Sequence, residues 1–119
     1  MKSILLVEDD LDIQTIYSQK LELEGYKVLL ASDAHQGLSI LKSDHQDLIL
    51  LDIMLPGKIN GFEFLEYIKK DEKLKNIPII VLTNLDTEKE SALRLGARDY
   101  LIKANTNLNE IVAKVKKYI

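Results

Sequence analysis

Five times along the chain a short unbroken apolar run gives way to a stretch in which apolar residues recur every third or fourth position. The runs are Ser3 to Val7, Lys27 to Ala31, Leu48 to Leu51, Ile77 to Leu82 and Tyr100 to Ile102. Apolar runs this short, closed by polar or turn residues, predict strands buried on both faces. Pro78 is tolerable only at the start of its strand, and Pro56-Gly57 ends regular structure beyond the third. Between the strands, Ile13, Ile16, Tyr17, Leu21 and Leu23 share one helical stripe that stops at Gly25. Ala34, Leu38 and Leu41 predict a second helix, with Ser32 or Asp33 as N-cap. Phe62, Leu65 and Ile68 predict a third, opened by Asn60-Gly61. Thr87-Glu88-Lys89-Glu90 reads as a capping box, so the fourth helix is expected to run from there to Gly96. Its large apolar residues are chiefly Leu93 and Leu95, so it should be loosely held and able to switch. The last helix carries Leu108, Ile111, Val112, Val115 and Ile119. Asn107 and Glu110 form its capping pair, and Lys114, Lys116 and Lys117 suit its C-terminal dipole.

Strand and helix thus alternate five times. That alternation predicts an α/β fold, a doubly wound parallel sheet with helices on both faces. In open sheets of this class ligands bind beyond the carboxyl ends of the strands, where strand order reverses. The residues expected there are Glu8, Asp9, Asp52, Thr83 and Lys103. Each has an ordinary reading. Glu8-Asp9-Asp10 reads as a solvated charge run, Asp52 as a turn acid bonded to nearby amides, Thr83 as a helix-entry residue, and Lys103 as a solvated lysine. Their convergence on one edge favours the functional reading for the set.

Composition narrows the chemistry. The chain has 119 residues, suited to a single domain over 1–119 with no output domain. Cysteine is absent, which excludes disulfides, thiolate metal sites and thiol nucleophiles and fits a reducing, cytoplasmic setting. No apolar run approaches the roughly 20 residues of a membrane span. The run after Lys2 stops at three acids, too early for a secretion signal. A net charge of −3 argues against direct nucleic-acid binding. Three carboxylates brought together repel one another, and at least one takes a proton unless a cation intervenes. Mg²⁺ suits a few carboxylates plus water and phosphate oxygens, with Mn²⁺ as substitute. Zinc does not suit the set, since His35 lies in a helix and His45 in a loop. An Asp carboxylate is a competent phosphoryl acceptor. Lys103 would pair a phosphoryl oxygen and Thr83 would donate a hydrogen bond to another.

At four places the sequence resembles the response-regulator receiver domain of two-component signalling. Leu5-Leu6-Val7-Glu8-Asp9-Asp10 matches its acidic pocket, and Leu50-Leu51-Asp52-Ile53-Met54-Leu55-Pro56-Gly57 its phosphorylation site. Ile80-Val81-Leu82-Thr83 matches its switch threonine, and Gly96-Ala97-Arg98-Asp99-Tyr100-Leu101-Ile102-Lys103 its final strand. The resemblance covers the whole chain. It implies a flavodoxin-like sheet in the order 2-1-3-4-5, and phosphorylation of Asp52 by a histidine kinase or phosphotransfer protein. It also implies Mg²⁺ held by Glu8, Asp9, Asp52 and the Met54 backbone carbonyl. Thr83 would swing toward the phosphoryl group with Tyr100 turning inward behind it. That motion would remodel the face of the fourth helix, fifth strand and last helix, toward an output partner or a second copy of the chain. The module would be a signalling phosphoacceptor, with only self-catalysed phosphoryl transfer and dephosphorylation.

Two departures stand out. The family usually follows its lysine with proline, often cis, whereas here the residue is Ala104. A cis bond before a non-proline residue costs about 2.5–4 kcal/mol, so a trans bond is expected, with consequences for the reach of Lys103. The loop from Pro56 to Gly61 is one residue longer than usual. Met54 and Leu85, each two residues beyond Asp52 and Thr83, are bulky and apolar, which implies a long-lived phosphoform. Two alternatives compete. A phosphohydrolase of the haloacid dehalogenase type needs a second Asp where Met54 stands. A receiver-like module that binds a partner without phosphorylation draws its support from Ala104.

Overall fold

The computed structural model describes Met1–Ile119 as alternating strands and helices. In chain order they are β1 (Ser3–Val7), α1 (Leu11–Leu23), β2 (Lys27–Ala31), α2 (Ala34–Ser43), β3 (Leu48–Leu51), α3 (Gly61–Lys70), β4 (Ile79–Thr83), α4 (Lys89–Arg94), β5 (Asp99–Ile102) and α5 (Leu108–Tyr118). A 3₁₀ turn, Lys103–Asn105, joins β5 to the last helix. All strand pairings are parallel, and the sheet order is β2-β1-β3-β4-β5. The flavodoxin-like order expected from the resemblance is therefore the one observed.

Strand alternation splits the core in two. Leu5, Val7, Ile49, Leu51, Ile79 and Val81 face one layer, which α2, α3 and α4 cover through Leu41, Phe64, Leu65, Ile68 and Ala92. Ile4, Leu6, Leu48, Leu50, Ile80 and Leu82 face the other, which α1 and α5 cover through Tyr17, Leu21, Ile111, Val112 and Val115. With both faces covered, neither set of strand positions can be polar, which explains the unbroken apolar runs. No helix is long and apolar enough to cross a membrane.

Most expected helix boundaries hold. Asp33 is the N-cap of α2, and Asn60–Glu63 and Asn107–Glu110 are closed capping boxes. Gly25 follows α1 at φ +96°, the left-handed conformation that a helix C-terminus needs. The side chains of α1 differ from the expected stripe. Gln14, Tyr17, Ser18 and Leu21 are buried, whereas Ile16 is 48% and Leu23 83% exposed. The helix is turned so that the Gln14 amide reaches the Glu8 carbonyl at 2.5 Å and the Ser32 hydroxyl at 3.1 Å. A buried carbonyl left without a donor costs more than an exposed isoleucine.

The fourth helix also differs. It is a six-residue element starting at Lys89, and Glu88, at φ −112° and ψ 12°, precedes it with no side-chain cap. The Thr87–Glu90 box does not form, since the helix begins at Lys89, two residues beyond Thr87, and the segment before it is tied down by tertiary bonds at Asn84 and Leu85. Only Ala92 of α4 is buried, in keeping with a thinly held element. The fourth strand begins at Ile79, so Pro78 precedes it; the Pro78 carbonyl accepts from the Ile49 N–H at 3.0 Å. Lys114 pairs with Asp99 at 3.0 Å rather than serving the helix dipole.

Candidate functional site

Strand order reverses between β1 and β3, so the chain leaves these neighbouring strands in opposite directions and opens a crevice at their carboxyl ends. Glu8 and Asp52 are each one residue beyond their strands, and each is held there by a strand-like bond. The Glu8 N–H donates to the Ala31 carbonyl at 2.9 Å, and the Asp52 N–H to the Val7 carbonyl at 3.0 Å. The loop that follows Asp52 folds back tightly. The Gly61 N–H donates to the Ile53 carbonyl at 3.2 Å, and any Cβ at Gly61 would collide with the Ile53 backbone. Glycine is the residue that lets α3 start so close to the acid.

The site gathers three acids and one cation. Ligand oxygens of Glu8, Asp9 and Asp52 lie within 4.8 Å of one another, with Glu8 and Asp52 buried and Asp9 exposed. The Lys103 ammonium bonds the Asp52 Oδ2 at 2.7 Å and also the Glu8 Oε1. The Met54 N–H donates to the other Asp52 oxygen at 2.9 Å. The second Glu8 oxygen accepts from the Asp10 N–H at 3.0 Å. Asp10 is not part of the cluster: its carboxylate caps α1, accepting from Asp12 and Ile13. Burial raises the Glu8 carboxyl above its ordinary value, and the bonds from Lys103 and Asp10 only partly offset it. Burial works against the Lys103 ammonium too, but its bonds to Asp52 and Glu8 win and raise it.

This donor set fits a hard divalent cation. It offers oxygen only, with no imidazole or thiolate, and three carboxylates against one ammonium leave two negative charges, −3 + 1 = −2. His35 and His45 are both exposed and outside the cluster. Every peptide bond is trans, Lys103–Ala104 included. The lysine still reaches Asp52, so the alanine does not withdraw it.

Thr83 ends β4, beside β3, and is fully buried. Its hydroxyl oxygen accepts the Leu85 N–H at 3.3 Å, and it makes no hydrogen bond to Asp52. Tyr100 is buried at 5% exposure, and its hydroxyl donates to the Leu85 carbonyl. Burial raises this phenol above its ordinary value. The structure therefore brings Glu8, Asp9, Asp52 and Lys103 into one cluster, and ties Thr83 at the end of β4 and Tyr100 on β5 to the same loop residue, Leu85. Leu85 packs against the core, while Met54 is 56% exposed. Two contributors were not apparent in the sequence. Gln14 looks like any polar residue of an amphipathic helix, and Asn84 like a loop residue. Only the tertiary fold brings Gln14 to the Glu8 carbonyl and Asn84 to the Ala104 N–H.

Comparison with known proteins agrees with this geometry. The family model described as the response regulator receiver domain matches residues 4–116. The transcriptional regulatory protein CpxR of Escherichia coli is 39% identical over 118 residues, 98% of this chain and 48% of CpxR. The phosphate regulon transcriptional regulatory protein PhoB of Pseudomonas aeruginosa is 39% identical over 117 residues, 97% of this chain and 50% of PhoB. The chain spans about half the length of the curated relatives it matches. Among solved structures, the response regulator TrrA of Thermotoga maritima, in complex with Mg²⁺ and BeF, superposes with a TM-score of 0.89 at 33% identity over the whole of both chains. The chemotaxis response regulator CheY4 of Vibrio cholerae has a TM-score of 0.91 at 26% identity, covering 100% of this chain and 99% of its own.

Proposed function

The chain belongs to the response regulator receiver domain family, and from that premise we propose that it is a Mg²⁺-dependent phosphoacceptor switch with Asp52 as the acceptor. An Asp52 carboxylate oxygen attacks the phosphorus of a phosphohistidine on a sensor kinase or phosphotransfer protein. A P–O bond forms as the P–N bond breaks, and the departing imidazole takes up a proton. Glu8, Asp9, Asp52 and the Met54 carbonyl would hold Mg²⁺, which supplies positive charge to the phosphoryl oxygens when bound. The Lys103 ammonium, now shared between Asp52 and Glu8, turns one bond to a phosphoryl oxygen. Thr83 uses its oxygen to accept from Leu85 and has its O–H left to donate toward the same group. Its movement would carry Leu85 and Tyr100 with it and re-form the face of α4, β5 and α5 that meets an output partner or a second copy. That response is a population shift driven by contacts made only in the phosphorylated state.

The observation that supports this reading best is that two buried carboxylates share the Lys103 ammonium at the switch point of the sheet, with a third, exposed carboxylate, Asp9, within 4.8 Å. A lone structural ion pair has no need of a third carboxylate. The decisive experiment is intact mass after incubation with acetyl phosphate and Mg²⁺, beside an Asp52→Asn control. One phosphoryl group gained, and lost in the variant or after chelation, is the expected result. No gain under any condition would overturn it in favour of partner binding without phosphorylation. Met54 and Leu85 should shield the acyl phosphate from water, so label on the isolated phosphoprotein is expected to decay slowly. Substitution of both by Ala should speed that decay, and an unchanged rate would refute the shielding.

A further inference from the structure

The turn that begins at Lys103 is short of a cap of its own. Its first residues carry N–H groups with no partner inside the turn, and Ile102, at the N-cap position, makes no side-chain bond. The Ala104 N–H is nevertheless satisfied. It donates to the side-chain Oδ1 of Asn84 at 2.9 Å, from a loop 20 residues earlier in the chain. A proline at this position has no N–H to give, so the contact depends on this position not being proline. Asn84 lies between Thr83 and Leu85, the two residues that meet through the Leu85 N–H, and Tyr100 donates to the Leu85 carbonyl. One side-chain amide therefore joins the threonine loop to the backbone that carries the lysine.

We propose that Asn84 is a positioning residue that caps the Lys103 turn through the Ala104 N–H and so couples the Thr83–Leu85 loop to the placement of Lys103. The consequence for phosphoryl uptake rests on the phosphoacceptor reading above; the cap itself does not. With the cap in place, the 103–104 peptide is held while the lysine side chain moves between carboxylate and phosphoryl oxygen. Without it, the turn frays and Lys103 spends less time in reach.

The test combines amide hydrogen exchange with phosphorylation rate, on the full chain. In the parent protein the Ala104 N–H should exchange slowly. Asn84→Ala should remove that protection, while Asn84→Asp, which keeps an acceptor oxygen, should retain it. With acetyl phosphate at saturating Mg²⁺, Asn84→Ala should slow uptake about three-fold, the scale of one ordinary hydrogen bond. The same substitution in an Ala104→Pro background, where no N–H remains to cap, should have no further effect. An equal loss in both backgrounds would show that Asn84 acts by another route and overturn the proposal, as would an unprotected Ala104 N–H in the parent. If the parent takes up no phosphate yet the exchange pattern holds, the phosphoacceptor reading falls and the cap stands.

Discussion

Opposite ends of the sheet carry carboxylates that have been treated in opposite ways. At the amino end of β5, Asp99 stands alone among donors: the Tyr100 N–H at 2.8 Å, Lys114 at 3.0 Å and the Tyr118 hydroxyl at 3.2 Å. Burial pushes its carboxyl up, but Lys114 and the hydrogen bonds outweigh that and hold it below its ordinary value. At the carboxyl ends of β1 and β3, two buried carboxylates share one ammonium beside the exposed Asp9, and Glu8 is driven above its ordinary value by burial. The first arrangement is complete, and nothing further is needed to stabilise it. The second is short of positive charge, and an incoming cation is what it accommodates best. The difference separates an acid whose charge is fully met by its neighbours from acids that compete for one cation.

The comparison is most exposed at Lys103. Replacing it by Ala leaves two buried acids without their cation and should cost about 3 kcal/mol at about pH 8. The sign at Glu8 follows from its raised carboxyl. Its contribution to stability is full below the unfolded value and is lost as pH rises through the folded one. Without the lysine that loss grows, so the penalty should shrink at about pH 5, where Glu8 can take a proton. Urea titrations at the two pH values measure it, and an equal cost at both would mean that the acids are not in competition. Asp99 should show the reverse. Its lowered carboxyl contributes stability above the unfolded value, lost as pH falls through the folded one. Asp99→Asn should cost about 1 kcal/mol near neutrality, and the gap to the parent should close as pH falls through the lowered folded value. A gap that persisted in acid would assign the loss to packing. The smallest effects belong to neither cluster. Ile16→Lys and Leu23→Lys should each change stability by no more than about 0.5 kcal/mol, since both side chains are exposed. A larger loss in thermal melts would restore the stripe that the sequence pattern suggested.

The family and the clustering of its acids were legible in the sequence because they depend on residue type at strand ends. Glu8, Asp9, Asp52, Thr83 and Lys103 each follow or finish an apolar run that both layers of helices must cover, and parallel pairing then brings those ends to one edge. Asn60 and Asn107 were legible for a similar reason, since a cap depends on residues three apart in the chain. The Thr87 box was misleading because a local signal competes with tertiary bonds, and two of those converge on Asn84 and Leu85. The face of α1 was misleading because apolar period cannot register a carbonyl that needs a donor.

Sequence alone therefore determined the layer architecture, the edge on which the polar strand-end residues collect and the acids that meet there. Those follow from periodicity and from the cost of burying a charge, both properties of neighbouring residues. Only the tertiary structure decided how the charges are shared, which acid is raised, which way α1 faces and what caps the lysine's turn. These rest on distances between segments far apart in the chain. Lys103 and Glu8 are 95 residues apart, and no local pattern encodes which oxygen an ammonium will choose.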